Sequence, residues 1–155
     1  MAITVEDGTG KTDSNSYISS AELTAYATDR AITLTGGDEI IYKAMDYVES
    51  QPFAGDKYTE EQALQWPRTG VYLYGFTVDY NEIPQLLKDA VCEAAIAIDG
   101  GANPLATLGR TTSSETVGPL SVTYDPGSRE QSYMSACHAK LDRLLRGVSM
   151  RVGRG

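Results

Sequence analysis

The sequence is poor in the residues that do covalent and metal chemistry. Its 155 residues include one histidine, His138, and two cysteines, Cys92 and Cys137. Both cysteines fall in predicted helices among apolar neighbours, as buried reduced thiols do. A disulfide needs those two helices to face each other, and a cytosolic product disfavours it. Cys137 and His138 are adjacent, and adjacent helical residues do not face one another. They therefore make no nucleophile–base pair, and with Cys92 they do not reach zinc-ligand spacing. The acids are scattered; Asp38-Glu39 and Glu60-Glu61 read as charges at helix starts. No catalytic, cofactor-binding or metal residue is assigned, and the chain is not read as an enzyme. Long apolar runs are missing too. No stretch reaches the ~18 residues of a membrane span. The start, Met1 to Asp7, lacks a basic region and an apolar core, so no secretory signal and no membrane contact are expected.

Positive charge is scarce over most of the chain. The net charge is −8, yet residues 143–155 hold Arg143, Arg146, Arg151 and Arg154 and no acid, which leaves −12 on the first 142 residues. An acidic body disfavours broad duplex-DNA affinity, because phosphate binding needs clustered cations. The basic tail suits an acidic partner.

What is present is enough apolar sequence, 41%, for one folded domain over 1–155. Ser19 and Glu22 have capping-box spacing and open a helix ending near Arg30. Asp38 is the expected cap of a second helix carrying Ile40, Ile41, Ala44, Met45 and Val48, closed by Pro52. Thr59 and Gln62 again match a capping box, so a short helical turn is expected up to Trp66-Pro67. Residues 71–80 are aromatic and β-prone; they read as a strand or an ordered loop, with the loop preferred. Pro84 sits at the first turn of the strongest helix, about 84–99, stopped by Gly100-Gly101. Residues 102–131 have no helical period; Leu120, Val122 and Tyr124 alternate as a strand does. A connection this long suits an arm that pairs with a neighbouring subunit. A last helix is expected over 132–146, with a basic tail over 147–155. The expected fold is mainly α: a small bundle of about four helices with a long extended or β arm between the last two.

Three motifs invite a functional reading. Gly8-Thr9-Gly10-Lys11-Thr12 looks like a P-loop fragment, but the position of the first glycine is Val5 and no helix follows. Ten tyrosines suit protein interfaces, though some can line the core edge. Gln65-Trp66-Pro67-Arg68 reads as a core anchor on Trp66, with Arg68 held in an ion pair or reaching across an interface.

Several pieces together resemble a family of phage and prophage proteins. They are Val5 to Gly10, Asn15-Ser16-Tyr17-Ile18-Ser19 leading into Ala21-Glu22, Ala44 to Tyr47, Trp66-Pro67-Arg68, Ile83-Pro84, Val117 to Tyr124, and the Leu141 to Leu145 helix end. Such proteins carry the label DnaT-like single-stranded-DNA-binding, yet they look like head–tail connectors encoded among structural genes. The resemblance implies an adaptor that forms a homo-oligomeric, dodecameric ring under the portal protein. It would meet a downstream neck or tail protein and pass double-stranded DNA without specific binding. The location implied is the virion neck, after synthesis in the host cytoplasm. Residues 102–131, with Leu120, Val122 and Tyr124, would be an inter-subunit arm or channel-side loop. The tail arginines would dock on the portal. The rival class is a single-stranded-DNA-binding replication accessory protein. It predicts a basic groove interleaved with aromatics, whereas residues 71–80 carry aromatics, no Lys or Arg, and Asp79.

Overall fold

The computed structural model describes residues 2–105, 112–116, 121–124 and 134–147, with backbone alone for 112–116 and 121–124. Four α-helices lie within them: α1 Ser20–Thr28, α2 Asp38–Glu49, α3 Gln85–Asp99 and α4 Ser135–Leu141. A 3-10 turn, Asp142–Leu144, extends α4. Six short strands pair as three antiparallel two-stranded sheets: β1 Asp56–Lys57 with β2 Arg68–Thr69, β3 Tyr72–Leu73 with β4 Phe76–Thr77, and β5 Thr112–Thr116 with β6 Ser121–Tyr124.

This corrects the expected mainly-α bundle. The helices do not pack as four equivalent rods; α3 is a hub touched by α1, α2 and α4. Its buried stripe is Leu87, Ala90, Val91, Ala94, Ala95 and Ile98, and the alanines let neighbouring helices approach closely. Residues 50–84 lie between α2 and α3 and carry two of the three small sheets instead of a helix. The expected turn of helix after Thr59 does not form. Half of its capping box is made, Thr59 N donating to Gln62 Oε1 at 2.9 Å. The Gln62 amide, however, is turned into the core, donating to Leu64 O and Pro67 O at 2.9 and 3.0 Å. A side chain serving two inward carbonyls no longer sits on the outside of a helix.

The capping box of α1 forms as expected. Gly37, not Asp38, caps α2. The Asp38 carboxylate is drawn aside to accept from Ser20 Oγ at 2.6 Å, tying the starts of α1 and α2. The final helix is shorter than 132–146, ending at Leu141 before the 3-10 turn. Its end is stitched to the 50s segment by Ala54 N to Leu144 O at 3.0 Å and Arg146 N to Pro52 O at 2.8 Å. No helix among the described residues is long and apolar enough to cross a membrane.

Two buried polar networks hold the irregular parts. Glu6 is 1% exposed. Its carboxylate accepts from the amides of Gly8, Gly10 and Lys11 at 2.9, 2.9 and 2.8 Å and from Ser14 Oγ at 3.0 Å. Charge-assisted bonds of this kind are what make a buried carboxylate tolerable. In the second network the Tyr17 hydroxyl donates to the Glu49 carboxylate and accepts from Trp66 N at 3.0 Å. Gln65 N also donates to Glu49, at 2.8 Å. Burial raises the Glu49 carboxyl above its ordinary range.

Candidate interaction surface

The residues first suspected of chemistry are built into the architecture. In the P-loop-like stretch the amides that would cradle a phosphate already cradle Glu6. The chain supplies its own anion. The loop does not open a helix. Cys92 and Cys137 are free and buried, and burial pushes both thiols up to about 12, far from a nucleophile's range. His138 shares a 2.6 Å hydrogen bond through Nε2 with the Tyr47 hydroxyl, and its Nδ1 lies 3.3 Å from Asp142 Oδ1. With its ring edge-on to Tyr47, it belongs to the α2–α4 packing.

Trp66 is fully buried, edge-on to Phe53 at 6.1 Å between ring centroids. Among the described residues, its neighbour Arg68 is held by carbonyl and amide oxygens in place of the expected ion pair. Its guanidinium donates to Ala54 O, Gly55 O and Gln65 Oε1 at 2.7, 2.6 and 2.9 Å, with a longer bond to Gln65 O at 3.2 Å. A planar fork of donors suits the carbonyls of a tight loop. Arg68 is thus an internal clamp that ties β2 to the 54–55 segment ahead of β1.

The arginines of the tail divide. Arg143 and Arg146 are exposed; Arg151 and Arg154 lie outside the described residues. Of the expected arm, Val122 and Tyr124 fall on β6, opposite Glu115 and Thr112 of the chain's own β5. Leu120 lies outside the described residues.

What stands out is the segment read as a strand or, by preference, a loop. Residues 71–80 form the β3–β4 hairpin, with Tyr72 opposite Thr77 and Leu73 opposite Phe76. Tyr74 and Gly75 make the two-residue turn, with φ of 55° and 87°. Two positive φ values are what a type I′ hairpin turn requires. Glycine adopts them freely, while tyrosine does so under strain. The hairpin carries Tyr72, Tyr74, Phe76 and Tyr80 at 59, 65, 78 and 52% exposure, and Tyr58 stacks on Tyr80 at 4.8 Å. Among the described residues, Leu105 is the one other large apolar side chain so exposed. The Arg143 guanidinium lies over the Tyr74 ring, 4.8 Å from its centroid. Such a contact adds about 0.5–1 kcal/mol at a surface.

Between this hairpin and the start of α3 runs a groove of about 280 Å³. Leu73, Phe76, Val78 and Leu86 supply apolar lining, and the two charged residues in its lining, Asp79 and Glu82, are acidic. Sequence reasoning left this stretch between strand and loop and preferred the loop, because each strand has two residues. The available signal was alternation around a Tyr-Gly pair.

A small mixed helix-and-hairpin scaffold displaying an aromatic finger is the class this fold defines. The chain belongs to the family described as "Putative DnaT-like ssDNA binding protein", whose model matches residues 1–155. A comparison with curated proteins returned no match. A comparison with solved structures returned none either.

Proposed function

We propose that this protein is a structural head–tail connector (adaptor) subunit of a tailed-phage neck. Copies form a ring below the portal, extend the DNA channel and join head to tail. The observation that carries this reading is the exposed aromatic hairpin on an acidic body. A cluster of exposed aromatic side chains of this kind suits a protein-interaction surface, tyrosine especially. Acidic residues in the adjoining groove favour a polypeptide partner over a polyanion. A ring wall built from such bodies would repel passing DNA and would not grip it. The neck, the virion location and the portal and tail partners come from the resemblance. The residues that carry that resemblance include Glu6, Tyr17, Trp66 and Arg68. They are buried scaffold, so they speak for a shared fold and leave the partner to the surface.

A second reading, a single-stranded-DNA-binding accessory protein, has its own support. The family's description names that activity. Arg143 beside a row of exposed aromatics is also an arrangement on which bases can stack. Two measurements on the purified full chain separate the readings. Electron microscopy with and without portal protein is expected to show rings that attach to the portal. A mobility-shift titration with short single strands at moderate salt is expected to show no tight complex. Tight binding lost in Tyr74→Ala and Arg143→Ala, with no ring, would replace the first reading with the second.

A further inference from the structure

A ring requires each copy to offer two different surfaces, one to each neighbour. The groove between the β3–β4 hairpin and α3, lined by Leu73, Phe76, Val78 and Leu86 and acidic in its charged lining, is suited to be one of them. Its complement is in the same chain. The described residues end at Gly147, and residues 148–155 continue as Val-Ser-Met-Arg-Val-Gly-Arg-Gly. This segment alternates apolar residues, Val148, Met150 and Val152, and carries Arg151 and Arg154 without an acid. Extended, its eight residues reach at most about 28 Å.

We propose that the groove between the β3–β4 hairpin and α3 receives the residue 148–155 tail of a second copy, joining copies head to tail. The apolar side chains of the tail enter between Phe76 and Leu86, and its arginines face Asp79 and Glu82. The root of the tail is pinned, with Leu145 bridged to Phe53 and Arg146 N bonded to Pro52 O. Arg143, at that root, already covers the Tyr74 ring of its own hairpin. The docked tail would then continue a basic contact along the aromatic row from the neighbouring molecule. This inference rests on the ring reading and gives the tail to a neighbouring copy instead of to the portal.

The test is a charge swap in the full chain, followed by light scattering over a concentration series, alone and with portal protein. Wild type is expected to associate with increasing concentration. Phe76→Ser, the pair Asp79→Lys with Glu82→Lys, and the pair Arg151→Glu with Arg154→Glu should each weaken association about tenfold or more. The chain carrying both charge-swapped pairs should recover most of it, because the reversed tail meets a reversed groove. Rings that form on the portal regardless of all these substitutions would overturn this inference and leave the connector reading standing. Association lost in both single swaps but not recovered in the combination would overturn it as well. A protein that stays monomeric under every condition and binds single-stranded DNA would remove the ring reading together with the inference.

Discussion

Two turn-forming segments of unlike composition, one polar and one aromatic, meet opposite fates in this protein. Residues 7–14 and residues 71–80 both combine glycine with polar side chains, and both turn sharply. The first closes on itself, because Glu6 supplies one acceptor that gathers three amides and a hydroxyl. The second has no such centre. Its aromatics point outward, and its turn places a tyrosine at positive φ. The first loop is scaffold and the second is surface. The difference is set by where the unpaired groups are: donors satisfied inside one loop, apolar area left unsatisfied on the other.

The largest test of this contrast is Glu6→Ala. It leaves several donors without their acceptor and should cost about 3 kcal/mol or more by chemical denaturation, unfolding a marginal domain. Gly8→Ala comes next. Gly8 has φ of 101°, and a Cβ there would lie 2.0 Å from Asn81 O. The substitution forces the loop away from the segment before α3, at a cost of about 2 kcal/mol or more.

Acid titration separates two carboxylates, Glu49 and Asp7, by sign. Glu49 has a raised folded pKa, for which burial is the main cause. Its contribution is therefore fully present below its ordinary carboxyl range and is lost as pH rises through the folded value. Asp7 behaves oppositely: hydrogen bonds from Thr9 and Lys11 lower it to about 2. Its contribution is present above its ordinary value and is lost as pH falls towards about 2. Thermal melts from pH 7 to pH 5 should show Glu49→Gln flattening the profile relative to wild type. A profile unchanged by that substitution would remove Glu49 from the account.

Hairpin substitutions should have the smallest effects on stability. Phe76→Ser should change it by less than about 0.5 kcal/mol while impairing assembly. Tyr74→Asn relieves the left-handed tyrosine and should raise stability by up to about 1 kcal/mol, again with weaker partner binding. If Phe76→Ser instead destabilises the fold as Glu6→Ala does, the hairpin belongs to the scaffold and the contrast fails.

Periodicity alone makes α2 and α3 legible, since Ile41, Ala44, Met45 and Val48, and Leu87, Ala90, Val91 and Ala94, recur at helical spacing and are buried. The Ser19–Glu22 box is legible because its two bonds are local. The box at Thr59 misleads, because Gln62 finds better partners at Leu64 and Pro67 than a helix would offer. Arg68 misleads for a similar reason: carbonyls brought from residues 54, 55 and 65 replace the expected acid. The candidate surface is half legible. Its aromatics are visible in residues 71–80, but their exposure is not.

The sequence by itself determined the long helices α2 and α3 and the acidic body with its basic end. Each rests on composition or on neighbours within a few positions. Only the tertiary structure decided that Glu6 fills its own loop, that Arg68 clamps carbonyls, and that the aromatic stretch is a displayed hairpin beside an acidic groove. Those outcomes depend on which distant backbone groups come within about 3 Å of a side chain, and no local pattern encodes that distance.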